Sequence, residues 1–77
     1  MEQLVNYNNL NTYRYYFKNK ETSKTSYFDE YCYGNIFEQI NIYKNDLKKM
    51  CLLDVNNDTH EIIKVVHLFN NNTIFEK

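Results

Sequence analysis

Residues 35–52 read NIFEQINIYKNDLKKMCL and directly follow the only glycine of the chain, Gly34. Asn35 is a favourable N-cap residue, and Glu38 stands three positions later, as in a capping box. Apolar side chains then recur at alternating steps of four and three, which is the spacing of one helix face: Ile36, Ile40, Tyr43, Leu47 and Met50. The stretch predicts one long helix over residues 35–52, with Cys51 extending its buried face.

Upstream of this helix, two runs rich in Tyr and Phe, residues 11–18 and 25–33, flank a polar segment at 19–24. Aromatic residues favour strands and the polar segment favours a turn, so the pattern predicts a β-hairpin. In the first strand one face would carry Tyr13, Tyr15 and Phe17. The second strand alternates less regularly, with one face carrying Tyr27, Asp29, Tyr31 and Tyr33 and the other carrying Phe28, Glu30 and Cys32.

A helical interpretation of the same segment competes with the hairpin. It joins apolar residues at helical spacing into an N-terminal helix, namely Leu4, Tyr7, Leu10, Tyr13 and Phe17. A second short helix over residues 26–33 would then end at Gly34.

The C-terminal segment, residues 58–70, carries two conflicting signals. Asp58 and Glu61 have capping-box spacing, and a helical face would carry Ile62, Val65, Val66 and Phe69. Paired β-branched residues favour a strand instead. A strand over residues 61–69, turning at the Asn70–Asn72 run and returning through residues 73–75, would place Lys64 on one face and His67 on the other. The periodicity favours the helix, and the C-terminal β-hairpin is the alternative.

Together these elements predict one small α+β domain over residues 1–77. Its N-terminal aromatic hairpin is followed by a long helix and a second helix. An all-α bundle of four helices is the competing fold. A chain of this length buries only about 60% of the surface exposed by the unfolded chain, so its core is small.

Candidate sites for chemistry have weak support in the sequence. Asp54, Asn56 and Asp58 have the spacing of the first EF-hand ligands, but the required glycine and glutamate are replaced by Thr59 and Val65. His60 and His67 are seven residues apart, so the zinc-protease pattern does not occur.

A phosphate-binding loop is not expected either, because the chain has only one glycine. The cysteines, Cys32 and Cys51, are expected to be reduced and buried. We therefore expect no catalytic residue, no metal, no cofactor and no enzymatic activity.

Composition and charge bear on partners and on location. The formal net charge is −1, so no overall field attracts nucleic acid or an anionic membrane. Glu2 follows Met1 where a secretion signal would carry basic residues, and no run approaches the roughly 20 apolar residues of a membrane span. We therefore expect a cytoplasmic protein.

The amino-acid composition indicates the base composition of the gene. Asn occurs thirteen times, whereas Ala, Pro and Trp do not occur, which is typical of an AT-rich genome.

The aromatic residues suggest a binding surface. A small core cannot cover eight Tyr and five Phe side chains, so some are expected to be exposed, and exposed aromatic clusters usually contact a partner. Tyr and Arg are also typical interface anchors. The predicted partner-binding residues are Arg14, Tyr15, Tyr16, Tyr27, Asp29, Glu30 and Tyr31.

These features predict a non-enzymatic interaction module. A small chain of this composition is typical of phage or mobile-element proteins that bind and inhibit a larger host protein, such as a defence nuclease. One alternative is a small nucleic-acid-binding regulator that uses the Tyr-rich hairpin with Arg14, Lys18, Lys20 and Lys24. Another is a structural or assembly subunit that forms a homo-oligomer.

Overall fold

The computed structural model describes residues 10–77. Four β-strands, one α-helix and a short 3₁₀-helix follow one another in the order β1 (Thr12–Asn19), β2 (Thr25–Tyr31), α1 (Ile36–Asn45), η1 (Leu47–Met50), β3 (His60–His67) and β4 (Asn72–Glu76). The predicted α+β fold is confirmed. Tyr13 and Phe17, which the helical interpretation placed in an N-terminal helix, lie in β1, while Leu4 and Tyr7 lie outside the described residues.

The N-terminal hairpin is confirmed, with β1 and β2 antiparallel and Tyr15 opposite Phe28. Its turn is closed by Asn19, whose Oδ1 accepts hydrogen bonds from the backbone N–H groups of Glu21 (2.8 Å) and Thr22 (2.9 Å). The backbone N–H of Asn19 donates to the Lys24 carbonyl at 2.8 Å. Asn side chains commonly bond the backbone just ahead of them in turns, which explains why this polar segment reverses the chain.

The long helix begins where predicted but ends early. Asn35 Oδ1 accepts hydrogen bonds from the backbone N–H groups of Phe37 (2.8 Å) and Glu38 (3.3 Å), which confirms the N-cap. The predicted extension to residue 52 is wrong, because Asp46 leaves helical geometry (φ −150°) and its side chain accepts from the Lys48 N–H to start η1. The chain then turns away at Cys51, which has a left-handed φ of 59°.

A side chain distant in sequence holds this break in place. Asn57 Oδ1 accepts a hydrogen bond from the Leu47 N–H at 2.8 Å, and Asn57 Nδ2 donates to the Lys44 carbonyl at 3.0 Å. Asn57 thereby satisfies a carbonyl at the end of α1 and an N–H at the start of η1, groups that helix termini leave unpaired.

The second helix predicted over residues 58–70 is wrong, and the alternative C-terminal hairpin of β3 and β4 is correct. The register along β1 explains the error. Lys64 lies opposite Tyr16 and Ile62 lies opposite Phe17, so Ile63 is an extra residue in a β-bulge. The bulge places Ile62 and Val65 on the same sheet face although they are three positions apart, a spacing that resembles a helix.

The four strands form one antiparallel sheet in the order β2-β1-β3-β4, and α1 packs against one face of it. The rings of Tyr15 in β1 and Tyr43 in α1 meet edge to face at 5.6 Å. The core between sheet and helices consists of Tyr15, Phe17, Cys32, Ile36, Ile40, Leu47, Met50, Ile62 and Val65. No element of residues 10–77 covers the opposite face of the sheet, which we call the outer face.

Candidate protein-binding face

The strand registers define which side chains share the outer face. Residues directly opposite each other in an antiparallel pair point to the same side, and successive residues alternate. Because Tyr15 and Val65 are fully buried under α1, their neighbours along the strands point outward. The outer face therefore carries Arg14, Tyr16, Lys18, Tyr27, Asp29, Tyr31, Lys64, Val66 and Glu76.

Arg14 lies at the centre of a cluster on this face. Its Nε donates to Asp29 Oδ1 at 2.7 Å and its Nη2 donates to Asp29 Oδ2 at 3.0 Å, a bidentate ion pair. The guanidinium also lies 4.0 Å from the centroid of the Tyr27 ring. Hydrogen bonding to Asp29 raises the pKa of Arg14 above its usual range. Arg14 is therefore fixed in orientation and permanently charged.

Tyrosine rings extend from this cluster in both directions. The rings of Tyr16 and Tyr27 lie 6.0 Å apart, and Lys64 Nζ lies 5.9 Å from the centroid of the Tyr16 ring. Towards the other end of β2, the rings of Tyr31 and Tyr33 meet edge to face at 4.6 Å. Tyr27 is 56% exposed and Tyr33 is 93% exposed. The result is a row of aromatic rings with a polar tip on each, interspersed with charge.

The structure divides the predicted partner-binding residues between the two faces. Five of them lie together on the outer face: Arg14, Tyr16, Tyr27, Asp29 and Tyr31. The placement of Tyr15 on a binding surface is wrong, because its ring is 0% exposed and packs under α1. Glu30 points to the same inner side and accepts a hydrogen bond from the Tyr43 hydroxyl.

The side chains of Tyr15 and Tyr43 pack between the sheet and α1, not on the outer face. Gln39 Nε2 donates to the Tyr15 hydroxyl oxygen at 3.1 Å. Burial raises the pKa of Tyr15 well above its usual value, with a smaller contribution from the charge of Glu30. Burial also raises the pKa of Tyr43, and its hydrogen bond to the Glu30 carboxylate adds to this effect. Both phenols therefore stay protonated at neutral pH.

Tyr33, which contacts Tyr31, and Lys64, which lies near Tyr16, are not among the predicted partner-binding residues. Tyr33 follows β2, and the alternation of this strand predicts it on the same face as Tyr27, Asp29 and Tyr31, so the alternation is the signal that identifies it. Lys64 was placed in a helix. Only the strand interpretation of residues 61–69 separates Lys64 from His67, as the structure does.

The residues considered for metal binding make hydrogen bonds within the protein. Asn56 Oδ1 accepts from the backbone N–H groups of Asp58 (2.8 Å) and Thr59 (3.2 Å), so the EF-hand-like residues form a turn. His60 Nδ1 lies 2.7 Å from Thr59 Oγ1, and His67 Nε2 donates to the Leu10 carbonyl at 2.7 Å. Residues 10–77 contain no group of three or more His, Cys, Asp or Glu side chains arranged to hold a metal ion.

The cysteines differ from each other. Cys32 is buried as predicted, and its thiol donates to the Gly34 carbonyl at 3.3 Å. The predicted burial of Cys51 is wrong, because the early end of α1 leaves this residue at an exposed turn.

Comparison with known proteins gives no relative from which a role can be transferred: no family model, no curated protein and no solved structure matches the chain. Within the part of the chain that the structure describes, no helix has the length and apolar character needed to cross a membrane.

Proposed function

We propose that this protein is a non-enzymatic interaction module that binds a larger protein through the outer face of its sheet. The observation that carries the proposal is the clustering of Tyr16, Tyr27 and Tyr31 around the Arg14–Asp29 ion pair on a face that no other described element covers. Tyr and Arg dominate the energetics of protein interfaces because they combine a large apolar contact with a polar group.

The charge pattern of the outer face favours a protein over a nucleic acid. Arg14 forms an ion pair with Asp29, and in the strand registers Lys18 lies opposite Glu61 and Lys64 lies opposite Glu76, so an acidic residue stands next to each basic one. The Glu61 carboxylate itself bonds to Lys77. A phosphate backbone is bound by basic side chains that are not neutralised, and its binding is strongly salt-dependent. An alternating pattern instead complements a protein surface that also carries both signs of charge.

We further propose that the partner is a host protein and that the chain acts in the cytoplasm of that host as a phage or mobile-element inhibitor, for example of a defence nuclease. The AT-rich composition and the small size support this version. Inhibition then requires only that a rigid aromatic surface occupies a functional surface of the partner. No group on the protein has to react.

The test is a quantitative pull-down from the host cytoplasm with the wild type and two surface variants. Tyr27→Ala removes the most exposed ring of β2, and Phe37→Ser removes an exposed ring of α1 on the other side of the protein. We expect Tyr27→Ala to weaken retention of a specific partner by roughly thirtyfold, the effect of an interface hot spot, and Phe37→Ser to leave it unchanged. Hydrogen exchange of the complex should then protect the amides of β1 and β2.

Three results would reject the proposal. Loss of the partner with Phe37→Ser and not with Tyr27→Ala would place the interface on the helical side. Salt-sensitive retention on DNA or RNA that requires Lys18 and Lys64 would assign the outer face to nucleic acid. Burial of the outer face in a homodimer, shown by sedimentation of a dimer that Tyr27→Ala dissociates, would make the chain an assembly subunit.

A further inference from the structure

A second feature lies at the open end between the helices and the sheet. There the end of α1, the start of η1, the start of β3 and the end of β4 surround a cavity of about 400 Å³. Cavities of a few hundred Å³ with an apolar floor and a small number of polar groups are the usual form of small-molecule sites.

The floor of this cavity is apolar. It consists of Leu47, Ile62 and Phe75, which come from η1, β3 and β4. Leu47 and Ile62 are buried core residues, and Phe75 packs against the same core. The floor is therefore held in place by the packing of the whole domain.

The rim of the cavity is basic. Lys20, Lys44 and Lys77 all line it, together with one acidic residue, Glu61. Lys20 Nζ donates to the Asn57 carbonyl at 2.5 Å, and Lys77 Nζ forms an ion pair with Glu61 at 2.8 Å. Lys44 Nζ lies 4.5 Å from the centroid of the Phe75 ring. The side chains of all three lysines border the opening. Lys20 and Lys77 already donate one hydrogen bond each, and an ammonium group can donate up to three, so each lysine keeps donors for a ligand.

We propose that this cavity binds a small phosphate monoester with a flat apolar body. The body would lie against the partly exposed side chain of Phe75, above the buried Leu47 and Ile62, and the phosphate would sit among the ammonium groups of Lys20, Lys44 and Lys77. Lysine binds phosphate as a point charge, and three lysines against one glutamate leave an excess of positive charge that suits a dianion. His60, also on the rim, offers a further ring nitrogen, because its Nδ1 already contacts Thr59.

The probe for the first experiment is phenyl phosphate, followed by amide chemical shifts of the full chain. We expect a saturable response at Asn57, at His60–Ile62 and at Lys77, with weaker binding at higher salt. Inorganic phosphate tests the contribution of the phosphate group alone, and benzyl alcohol tests the contribution of the apolar ring alone. Both should bind much more weakly than phenyl phosphate.

The key variants are Lys44→Gln and Lys77→Gln, which remove one charge each from exposed positions and leave the core unaltered. We expect each variant to lower the affinity for phenyl phosphate by roughly fivefold, which is the effect of losing one partly exposed ion pair. Lys24→Gln and Lys48→Gln are matched controls, because both lysines are exposed and neither lines the cavity. They should leave the affinity unchanged.

Several results would overturn the proposal. The first is a chemical-shift response that does not saturate, and the second is an equal loss of affinity in Lys24→Gln and Lys44→Gln. The third is inorganic phosphate that binds as tightly as phenyl phosphate. The fourth is chemical-shift changes confined to the outer face near Arg14 and Lys18. Tyr27→Ala should not change the affinity, so the cavity and the proposed protein-binding face can fail separately. Adenosine monophosphate and phosphotyrosine, titrated next, would distinguish a nucleotide source from a phosphopeptide source of the same chemistry.

Discussion

Arg14 holds Asp29 across the β1–β2 pair through two hydrogen bonds, of 2.7 and 3.0 Å, between directly opposite positions of the two strands. The same guanidinium lies over the Tyr27 ring. One side chain thus fixes both an acidic and an aromatic neighbour on the outer face before any partner binds. A surface ordered in advance loses less side-chain entropy on association.

The first prediction concerns this ion pair. Both side chains are about one-third exposed, so solvent screening limits its contribution. A double-mutant cycle of Arg14→Ala and Asp29→Ala should give a coupling of about 0.5–1 kcal/mol in urea unfolding, decreasing with salt. Arg14→Lys should lose most of this coupling because lysine lacks the planar fork. Glu30, the next residue, points to the other face, so an equally large Arg14–Glu30 coupling would contradict the geometry.

A second prediction tests the strand and its faces with two adjacent valines. Val65 is fully buried, whereas Val66 lies on the outer face. Val65→Thr places a hydroxyl in the core and should cost about 1–3 kcal/mol of unfolding free energy. Val66→Thr, the matched control, should change it by less than about 0.5 kcal/mol. Equal losses at both positions would argue against the alternation of β3.

A third prediction concerns alkaline pH. The pKa values of Tyr15 and Tyr43 are raised in the folded protein, mainly by burial, above about 10 in the unfolded chain. The unfolded chain therefore releases these protons first as the pH rises. The stability due to the neutral phenols is complete below about pH 10 and decreases as the pH rises through the folded pKa values.

Urea midpoints measured in a pH series check this dependence. The variant Tyr15→Phe with Tyr43→Phe should show a shallower decline at high pH than the wild type, because it has lost the two titrating groups. Tyr33→Phe, at a nearly fully exposed ring, is the control and should follow the wild-type curve. A decline that is as steep without Tyr15 and Tyr43 would reject their role.

The fourth prediction concerns the junction of α1 and η1. Asn57→Ala removes the hydrogen bonds to Leu47 N–H and the Lys44 carbonyl and should cost about 1–2 kcal/mol. Asn57→Asp keeps the acceptor for Leu47 and should cost less. Amide exchange of Leu47 should accelerate in Asn57→Ala alone. Asn41→Ala, on the exposed side of α1, should be neutral or slightly stabilising, and a similar loss there would mean that Asn57 has no specific role.

Local sequence features determined the first half of the fold. The aromatic runs around a polar turn determined the β1–β2 hairpin, and Asn35 determined where α1 begins, because both depend on neighbouring residues only. The alternation of β2 likewise separated Tyr27, Asp29 and Tyr31 from Phe28 and Glu30. Five of the seven predicted partner-binding residues consequently lie on one face.

Only the tertiary structure decided the rest. Which face of β1 is buried depended on where α1 packs, and this placed Tyr15 in the core. The end of α1 depended on Asn57, ten residues beyond Leu47, and this exposed Cys51. The choice of strand over helix for residues 60–67 depended on pairing with β1, 41 or more residues earlier, and on a bulge at Ile63 that gives buried residues a helical spacing. Periodicity within one segment cannot reveal a register that a distant strand imposes.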